Sequence, residues 1–126
     1  MGNPTVPPLV EIWHDGGFLV SEANGHQSRD TITLTGGAVV LAGTVLGQLS
    51  TGDKWAPWKP AGSDGSQSPA GILFGTRDAT IGDKAAVAIT RNAEVNTAEL
   101  VWPDGVTPEQ IATATEQLQA FGILLR

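Results

Sequence analysis

The stretch AVVLAGTVLGQL, residues 38–49, decides the fold. Its apolar residues occupy odd and even positions alike, a pattern typical of a strand that is covered on both faces. Gly43 and Gly47 interrupt the run, and a glycine inside a strand marks a bend or a bulge. We therefore expect residues 38–49 to form a bent strand at the centre of the core.

Shorter strand patterns lie on both sides of this run. Residues 31–35 alternate polar and apolar side chains with a period of two, so Ile32 and Leu34 should form one buried face. The other strand-like runs are residues 9–13, 18–20, 70–74, 85–90 and 94–101. Between the first two of these, Asp15, Gly16 and Gly17 suit a tight hairpin turn.

One helix is predicted near the C-terminus. Thr107 can cap it, Pro108 fits its first turn, and Gln110 completes a capping box three residues after the cap. The apolar positions recur at helical spacing and are Ile111, Ala114, Thr115 and Leu118. Gly122 is a natural C-terminal stop. The predicted fold class is mainly β (α+β), a compact β-rich domain with one C-terminal helix and an extended N-terminal arm.

The arm is predicted from the first residues, which follow neither periodicity. Pro4, Pro7 and Pro8 remove backbone donors that helices and inner strands require. Glycines at 16, 17 and 25 leave little apolar surface to bury. We expect residues 1–30 to be an extended, mobile arm and residues 31–126 to be the β-rich domain.

Composition limits the partners and the sources of stability. The 126 residues and 13.0 kDa suit one domain. Because there is no cysteine, cohesion must come from packing or from oligomerisation. The net charge of −6, without a basic cluster, argues against nucleic acid as a partner. No apolar run approaches the roughly 20 residues that cross a bilayer, so a membrane is not an expected partner either.

Residues able to support catalysis or metal binding are few. His14 and His26 could be combined with Asp15 or Asp30 and a serine into a triad, but the chain has no Gly-x-Ser-x-Gly elbow. The two histidines with Asp15 lack a fourth ligand at any recognised metal-binding spacing. Neither GxGxxG nor GxxxxGK occurs at a strand-to-helix junction. We expect no catalytic or metal site and no cofactor.

The four tryptophans, at positions 13, 55, 58 and 102, leave two interpretations open. Tryptophan is enriched at binding hot spots and can stack on sugars or on partner side chains. Trp102, between Val101 and Pro103, is better explained by packing. For Trp55 and Trp58, exposure at an interface and burial fit the sequence equally well. An alternative function is therefore a tryptophan-lined carbohydrate-binding β domain.

From Ser21 onward the sequence resembles the lambda-type head decoration protein family. The segments that carry the resemblance are SEANGHQSRDTITL (21–34), AGTVLGQL (42–49), AGILF (70–74), ITRNAEVNTAELVWPDG (89–105) and the closing helix with FGILLR (121–126). No single segment is diagnostic of a mechanism, but their order and spacing are specific. Residues 1–20 depart from the family pattern as a longer N-terminal region.

The resemblance implies a structural, non-enzymatic homotrimer. Such a trimer would bind the major capsid protein on the outer surface of the expanded phage shell, at three-fold positions, and stabilise the head against the pressure of packaged DNA. It would be found in the host cytoplasm during assembly and on the outer capsid surface of the virion afterwards.

The resemblance also implies an arm that pairs with the capsid as an added strand. An extended segment can pair its backbone with an exposed sheet edge on another chain. The expected capsid-binding residues are Ser28, Arg29, Asp30, Thr31, Ile32, Thr33 and Leu34. Trp55 and Trp58 are a second candidate interface.

Overall fold

A computed structural model describes residues 15–25 and 27–126. The strands are β1 (Leu19–Glu22), β2 (Arg29–Leu34), β3 (Val39–Val40), β4 (Val45–Gln48), β5 (Lys54–Pro57), β6 (Pro69–Leu73), β7 (Arg77–Asp78), β8 (Lys84–Ile89), β9 (Ala93–Val95) and β10 (Ile123–Leu125). A 3-10 helix (Thr97–Glu99) follows β9, and α1 (Pro108–Gln119) precedes β10. The mainly β class with a helix near the C-terminus is confirmed.

Five strands close into a barrel in the order β2-β5-β4-β6-β8. β2 pairs antiparallel with β8 over its whole length, from Arg29 opposite Ile89 to Leu34 opposite Lys84. The barrel interior is filled by Ile32, Leu34, Leu46, Trp55, Leu73, Ala86 and Ala88. The predicted alternation in β2 is confirmed, because Ile32 and Leu34 are buried while Thr31 and Thr33 are exposed.

The central run of residues 38–49 is buried without interruption from 42 to 47, but it forms two strands. β3 pairs with β7 in a separate two-stranded ribbon, and β4 enters the barrel. The chain changes direction at Gly43, whose φ is +88°. A Cβ at this position would lie 2.7 Å from the carbonyl oxygen of Glu99, so glycine is required here for two reasons. The predicted bend at Gly43 is confirmed.

A smaller sheet of order β1-β9-β10 lies beside the barrel. β9 is its central strand, antiparallel to β1 and parallel to β10. The predicted strand at residues 94–101 is wrong in its second half. There Asn96 caps the 3-10 helix, and its side-chain oxygen accepts a hydrogen bond from the Ala98 N–H at 3.1 Å.

α1 covers the core between the barrel and the smaller sheet. Its predicted capping box is present: Thr107 Oγ1 accepts from the Gln110 N–H at 3.1 Å, and Gln110 Oε1 accepts from the Thr107 N–H at 3.0 Å. Ala114 and Leu118 are buried in one cluster with residues from the barrel and the smaller sheet. Within the described residues, no helix has the length and apolar character needed to span a bilayer.

The segment expected to be an arm is partly inside the folded body. Residues 1–14 and 26, and with them the expected strand at 9–13, lie outside the described residues. From residue 15 onward the chain is attached to the body, since the Gly16 N–H donates to the Phe74 carbonyl at 2.8 Å. β1 then pairs with β9. The expected boundary between residues 30 and 31 falls inside β2, which begins at Arg29.

Candidate functional site

The outward edge of β2 is the first candidate binding surface. The Ser28 carbonyl accepts a hydrogen bond from the Thr90 N–H at 2.9 Å. Ser28 and Thr90 are therefore a hydrogen-bonded pair that continues the β2–β8 ladder. Such pairs alternate along antiparallel strands, so the N–H and C=O of Thr31 point away from β8. On that other side, β5 pairs only with Thr33 and Leu34. The first half of β2 therefore has a ladder partner on one edge within the described residues.

Arg29 fixes the start of β2 to β1. Its Nε and Nη2 atoms donate to the two carboxylate oxygens of Glu22 at 3.0 and 2.6 Å. Its guanidinium carbon lies 4.1 Å from the ring centre of Phe74, within the range of a cation–π contact. The hydrogen bond to Glu22 raises the pKa of Arg29. The Arg29 side chain therefore contacts both Glu22 and Phe74 and holds residues 19–29 to the barrel.

Asp30 forms a second polar contact at the start of β2. Its Oδ2 atom accepts from Arg91 Nη2 at 2.5 Å and from Thr90 Oγ1 at 2.8 Å. The hydrogen bond from Arg91 lowers the pKa of the Asp30 carboxyl most, and the hydrogen bond from Thr90 lowers it further. Arg91 also donates from Nη1 to the Gln27 carbonyl at 2.8 Å. Asp30 is therefore a charged, partly exposed residue at the end of the barrel.

The seven residues predicted to bind the capsid are divided between core and surface. Ser28 is fully buried, and its hydroxyl donates to the Asn92 carbonyl at 2.8 Å while accepting from the Ala23 N–H at 3.0 Å. Ile32 and Leu34 line the barrel interior. The side chains that reach the surface are Arg29, Asp30, Thr31 and Thr33. Because side chains alternate along a strand, Arg29, Thr31 and Thr33 share the outer face of β2, whereas Asp30 lies on the same face as Ile32 and Leu34, at the end of the barrel.

Trp55 and Trp58, the second candidate interface, are buried, with 8% and 3% of their surface exposed. The indole N–H of Trp58 donates to the Gln67 carbonyl at 2.8 Å. Its ring meets Trp102 edge-to-face, with 5.8 Å between centroids. Trp55 packs inside the barrel. The isolated chain therefore offers little of either ring to a partner, whereas Trp102 packs as the sequence predicted.

Within the described part of the chain, four large apolar side chains are exposed, and the sequence did not identify them as surface residues. They are Val20, Val39, Ile81 and Phe121. Ile81 is fully exposed in the turn between β7 and β8, and Val39 is 52% exposed on β3 directly opposite Asp78 of β7. These two residues therefore lie on or beside the β3–β7 ribbon. Ile81 stands among Thr80, Gly82 and Asp83 in the sequence, and this turn-like setting is the signal that could have predicted its exposure.

A cavity of about 240 Å³ opens at the end of the barrel where Asp30 lies. Its lining includes Asp30, Gln48, Trp55, Thr90, Arg91 and Phe121. These residues come from the start of β2, the end of β4, the interior of β5, the segment just after β8 and the segment after α1. We call this opening the barrel mouth.

Of the histidine and aspartate residues considered for catalysis and metal binding, the structure describes Asp15 and Asp30. His14 and His26 lie outside the described residues. Among residues 15–25 and 27–126, no three or more His, Asp or Glu side chains are grouped closely enough to hold a metal ion. Asp15 carries a contact of another kind, because its carboxylate packs against Gly75, where a Cβ would lie 2.8 Å away.

Comparison with known proteins identifies the family. A search of curated proteins gave no match. A family model described as bacteriophage lambda head decoration protein D matches residues 8–123, nearly the whole chain and almost every element of the fold. Proteins of this family are structural components of the phage head, which places them on the virion capsid. The chain belongs to the bacteriophage lambda head decoration protein D family.

Proposed function

We propose that this protein is a non-enzymatic decoration protein that binds the expanded phage shell as a homotrimer. It occupies three-fold positions on the outer surface, contacts the major capsid protein and stabilises the head against the pressure of packaged DNA. Before assembly it is in the host cytoplasm. The family match over residues 8–123 is the observation that carries the proposal.

The edge of β2 is the proposed point of attachment. A strand from the capsid protein that pairs with Arg29–Ile32 would gain main-chain hydrogen bonds, while the exposed Thr31 and Thr33 side chains would set its register. Two observations support this edge. The main chain of Thr31 points away from β8, and the pairing with β5 stops at Thr33.

The exposed apolar pair Val39 and Ile81 supports self-association. Single exposed apolar residues are ordinary on protein surfaces, but these two belong to the same β3–β7 ribbon and the turn that follows it. The chain has no cysteine, so no disulfide contributes to its stability. In the proposed trimer each subunit covers the Val39 and Ile81 side chains of another.

Stabilisation of the head follows from mass action. A ligand that binds the intact expanded shell, and not its broken form, shifts the equilibrium toward the intact shell. Because the three subunits of one trimer are joined, binding of the first raises the effective concentration of the other two, and avidity can exceed single-site affinity by about 10² to 10⁴. Weak individual contacts are therefore sufficient.

The proposal is tested by sedimenting the protein with expanded and with unexpanded shells. Wild type should pellet with expanded shells. Thr31→Pro, which removes the N–H that faces the added strand, should lose most of this binding, and the matched control Thr31→Ala should keep it. Thr31→Lys places a charge on the same edge without changing the main-chain donor and should also weaken binding.

Two results would count against the proposal. Absence of wild-type protein from the pellet of expanded shells contradicts the decoration role. Undiminished binding by a folded Thr31→Pro protein contradicts attachment through β2 and leaves the decoration role standing. Thermal melts of each variant, compared with wild type, establish that the variants are folded.

A further inference from the structure

The barrel mouth is lined by apolar side chains and by a few polar groups that converge on the opening. Ligand sites in β-barrels occur at the mouth and combine apolar walls with a few convergent polar groups. Here Thr90 is 7% exposed and Trp55 is 8% exposed, so the floor is formed by side chains that belong to the core. Gln48 is exposed at the rim.

The negative charge of Asp30 and the positive charge of Arg91 neutralise each other at the mouth. Among the described residues that line the mouth, the only formal charges are those of Asp30 and Arg91, which form an ion pair with a separation of 2.5 Å. An anionic ligand would face the Asp30 carboxylate, and a cationic ligand would face the Arg91 guanidinium. A neutral ligand is therefore favoured over phosphates, acidic peptides or amines.

The hydrogen-bonding groups of the mouth match a ligand that carries several hydroxyl groups. The Asp30 carboxylate can accept, the Arg91 guanidinium can donate, and the Gln48 amide can do both. A hydroxyl group also donates and accepts, so adjacent hydroxyls on one ring can bridge such groups. The ion pair uses only part of this capacity, since a guanidinium has about five N–H donors.

Aromatic surface stands next to these polar groups. The Phe121 ring is 48% exposed at the side of the mouth, and Trp55 contributes part of its indole to the floor. The C–H face of a sugar ring is apolar and packs on aromatic rings, while its hydroxyl edge remains available for hydrogen bonds. The volume of about 240 Å³ is below the range typical of drug-sized ligands, which limits the occupant to about one ring.

We propose that the barrel mouth binds one neutral pyranose ring of a carbohydrate, with Asp30, Arg91 and Gln48 on the hydroxyl edge and Phe121 against the C–H face. The affinity of a single ring is expected to be about 1 mM, as is usual for a ligand of this size held by one shallow pocket. Many copies on a capsid would act together on a glycan-coated surface. That last consequence, unlike the binding itself, rests on the proposed function.

The test is titration of the free, full-length protein with neutral methyl glycosides of glucose, galactose, mannose and N-acetylglucosamine, followed by amide and indole NMR shifts. At least one glycoside should give saturable shifts at Gln48, Thr90, Arg91 and the Trp55 indole, with half-saturation near about 1 mM. Gln48→Ala and Phe121→Ala should each weaken binding by about tenfold, which corresponds to one lost contact of ordinary strength. Gln119→Ala, the same substitution on the exposed face of α1, should bind as wild type does.

Three outcomes would overturn the proposal. The first is the absence of a saturable shift with any of the four glycosides at about twenty times the expected dissociation constant. The second is equal affinity of Gln48→Ala and Gln119→Ala. The third is loss of capsid binding by Gln48→Ala and Phe121→Ala without any glycoside shift in wild type, which would assign the mouth to a capsid side chain. Because the titration uses no capsid, its failure is distinct from failure of the decoration role.

Discussion

Asp30 and Arg91 join the beginning of β2 to the segment just after β8 across 61 residues of sequence, with 2.5 Å between the carboxylate and guanidinium atoms. The same carboxylate accepts from Thr90, and the same guanidinium donates to the Gln27 carbonyl. One ion pair therefore lies next to the strand edge proposed to meet the capsid and forms part of the rim of the mouth proposed to bind a sugar.

Asp30→Asn should make the stability of the protein less dependent on pH. The pKa of Asp30 in the folded protein lies below the ordinary value of 3.8, chiefly because of the hydrogen bond from Arg91. The stabilisation that the ionised Asp30 gives to the folded protein is therefore fully present at pH values above the ordinary pKa. It is lost as the pH falls through the lowered pKa of the folded protein. Because 44% of the Asp30 side chain is exposed, the effect at neutral pH should be below about 1 kcal/mol.

Urea unfolding at neutral pH and at about pH 3 measures the difference in the free energy of unfolding between wild type and Asp30→Asn. The wild type should be the more stable protein at neutral pH, and the gap should narrow in acid. A gap that widens in acid would show that Asp30 is not held in its charged form by the fold.

Gly43→Ala should be strongly destabilising, by more than about 1 kcal/mol, because φ is +88° and the new Cβ would lie 2.7 Å from the Glu99 carbonyl oxygen. Gly82→Ala is the matched control, since a Cβ added there would have no heavy atom within 4 Å and the φ of Gly82 is not in the left-handed region. Chemical denaturation of the two variants should separate them clearly. Equal stability would mean that the bend between β3 and β4 does not depend on glycine.

Leu118→Ala tests whether α1 is part of the core. Leu118 is fully buried and packs in a cluster that joins the helix to both sheets. Its truncation should cost about 2–5 kcal/mol in the free energy of unfolding. Gln117→Ala, on the exposed side of the same turn, should change stability by less than about 0.5 kcal/mol. A small effect of Leu118→Ala would show that the helix contributes little to the fold.

Self-association should make the melting temperature rise with protein concentration. Ile81→Asp should reduce this dependence and shift the mass in light scattering toward the 13.0 kDa monomer, because a charge would be buried in the proposed subunit contact. Ile81→Val should retain both properties. If the melting temperature of wild type is independent of concentration and its mass is that of a monomer, the proposed trimer is contradicted.

The sequence was sufficient where the local pattern is strong. The alternation around Ile32 and Leu34 predicted β2, and the Thr107–Gln110 capping box predicted the start of α1. β5 was missed because Trp55 and Ala56 are both buried, although they are consecutive, so no alternation is visible. β3 lies within the run that was predicted as one strand, and β7 was missed because its two residues are too few to show a period.

The pairing of distant strands could not be predicted from the sequence, and the reason is physical. Local patterns indicate which face of a strand is buried, but they do not identify its neighbour. The parallel pairing of β2 with β5 and the closure of the barrel depend on contacts between distant segments. The mouth likewise combines Asp30, Gln48, Arg91 and Phe121, which no spacing rule connects. The consecutive residues of β2, in contrast, could be selected from the sequence, and their alternation predicted that Ile32 and Leu34 are buried, whereas the burial of Ser28 appeared only in the structure.

The central claim is that this protein decorates the expanded phage head as a trimer. The most direct measurement is a cryo-electron microscopy reconstruction of expanded shells incubated with the protein, compared with the same shells alone. We expect added density for three subunits at each three-fold position on the outer surface, with the β2 edge of each subunit against the major capsid protein. Shells without added density, or with single subunits bound away from the three-fold positions, would contradict it.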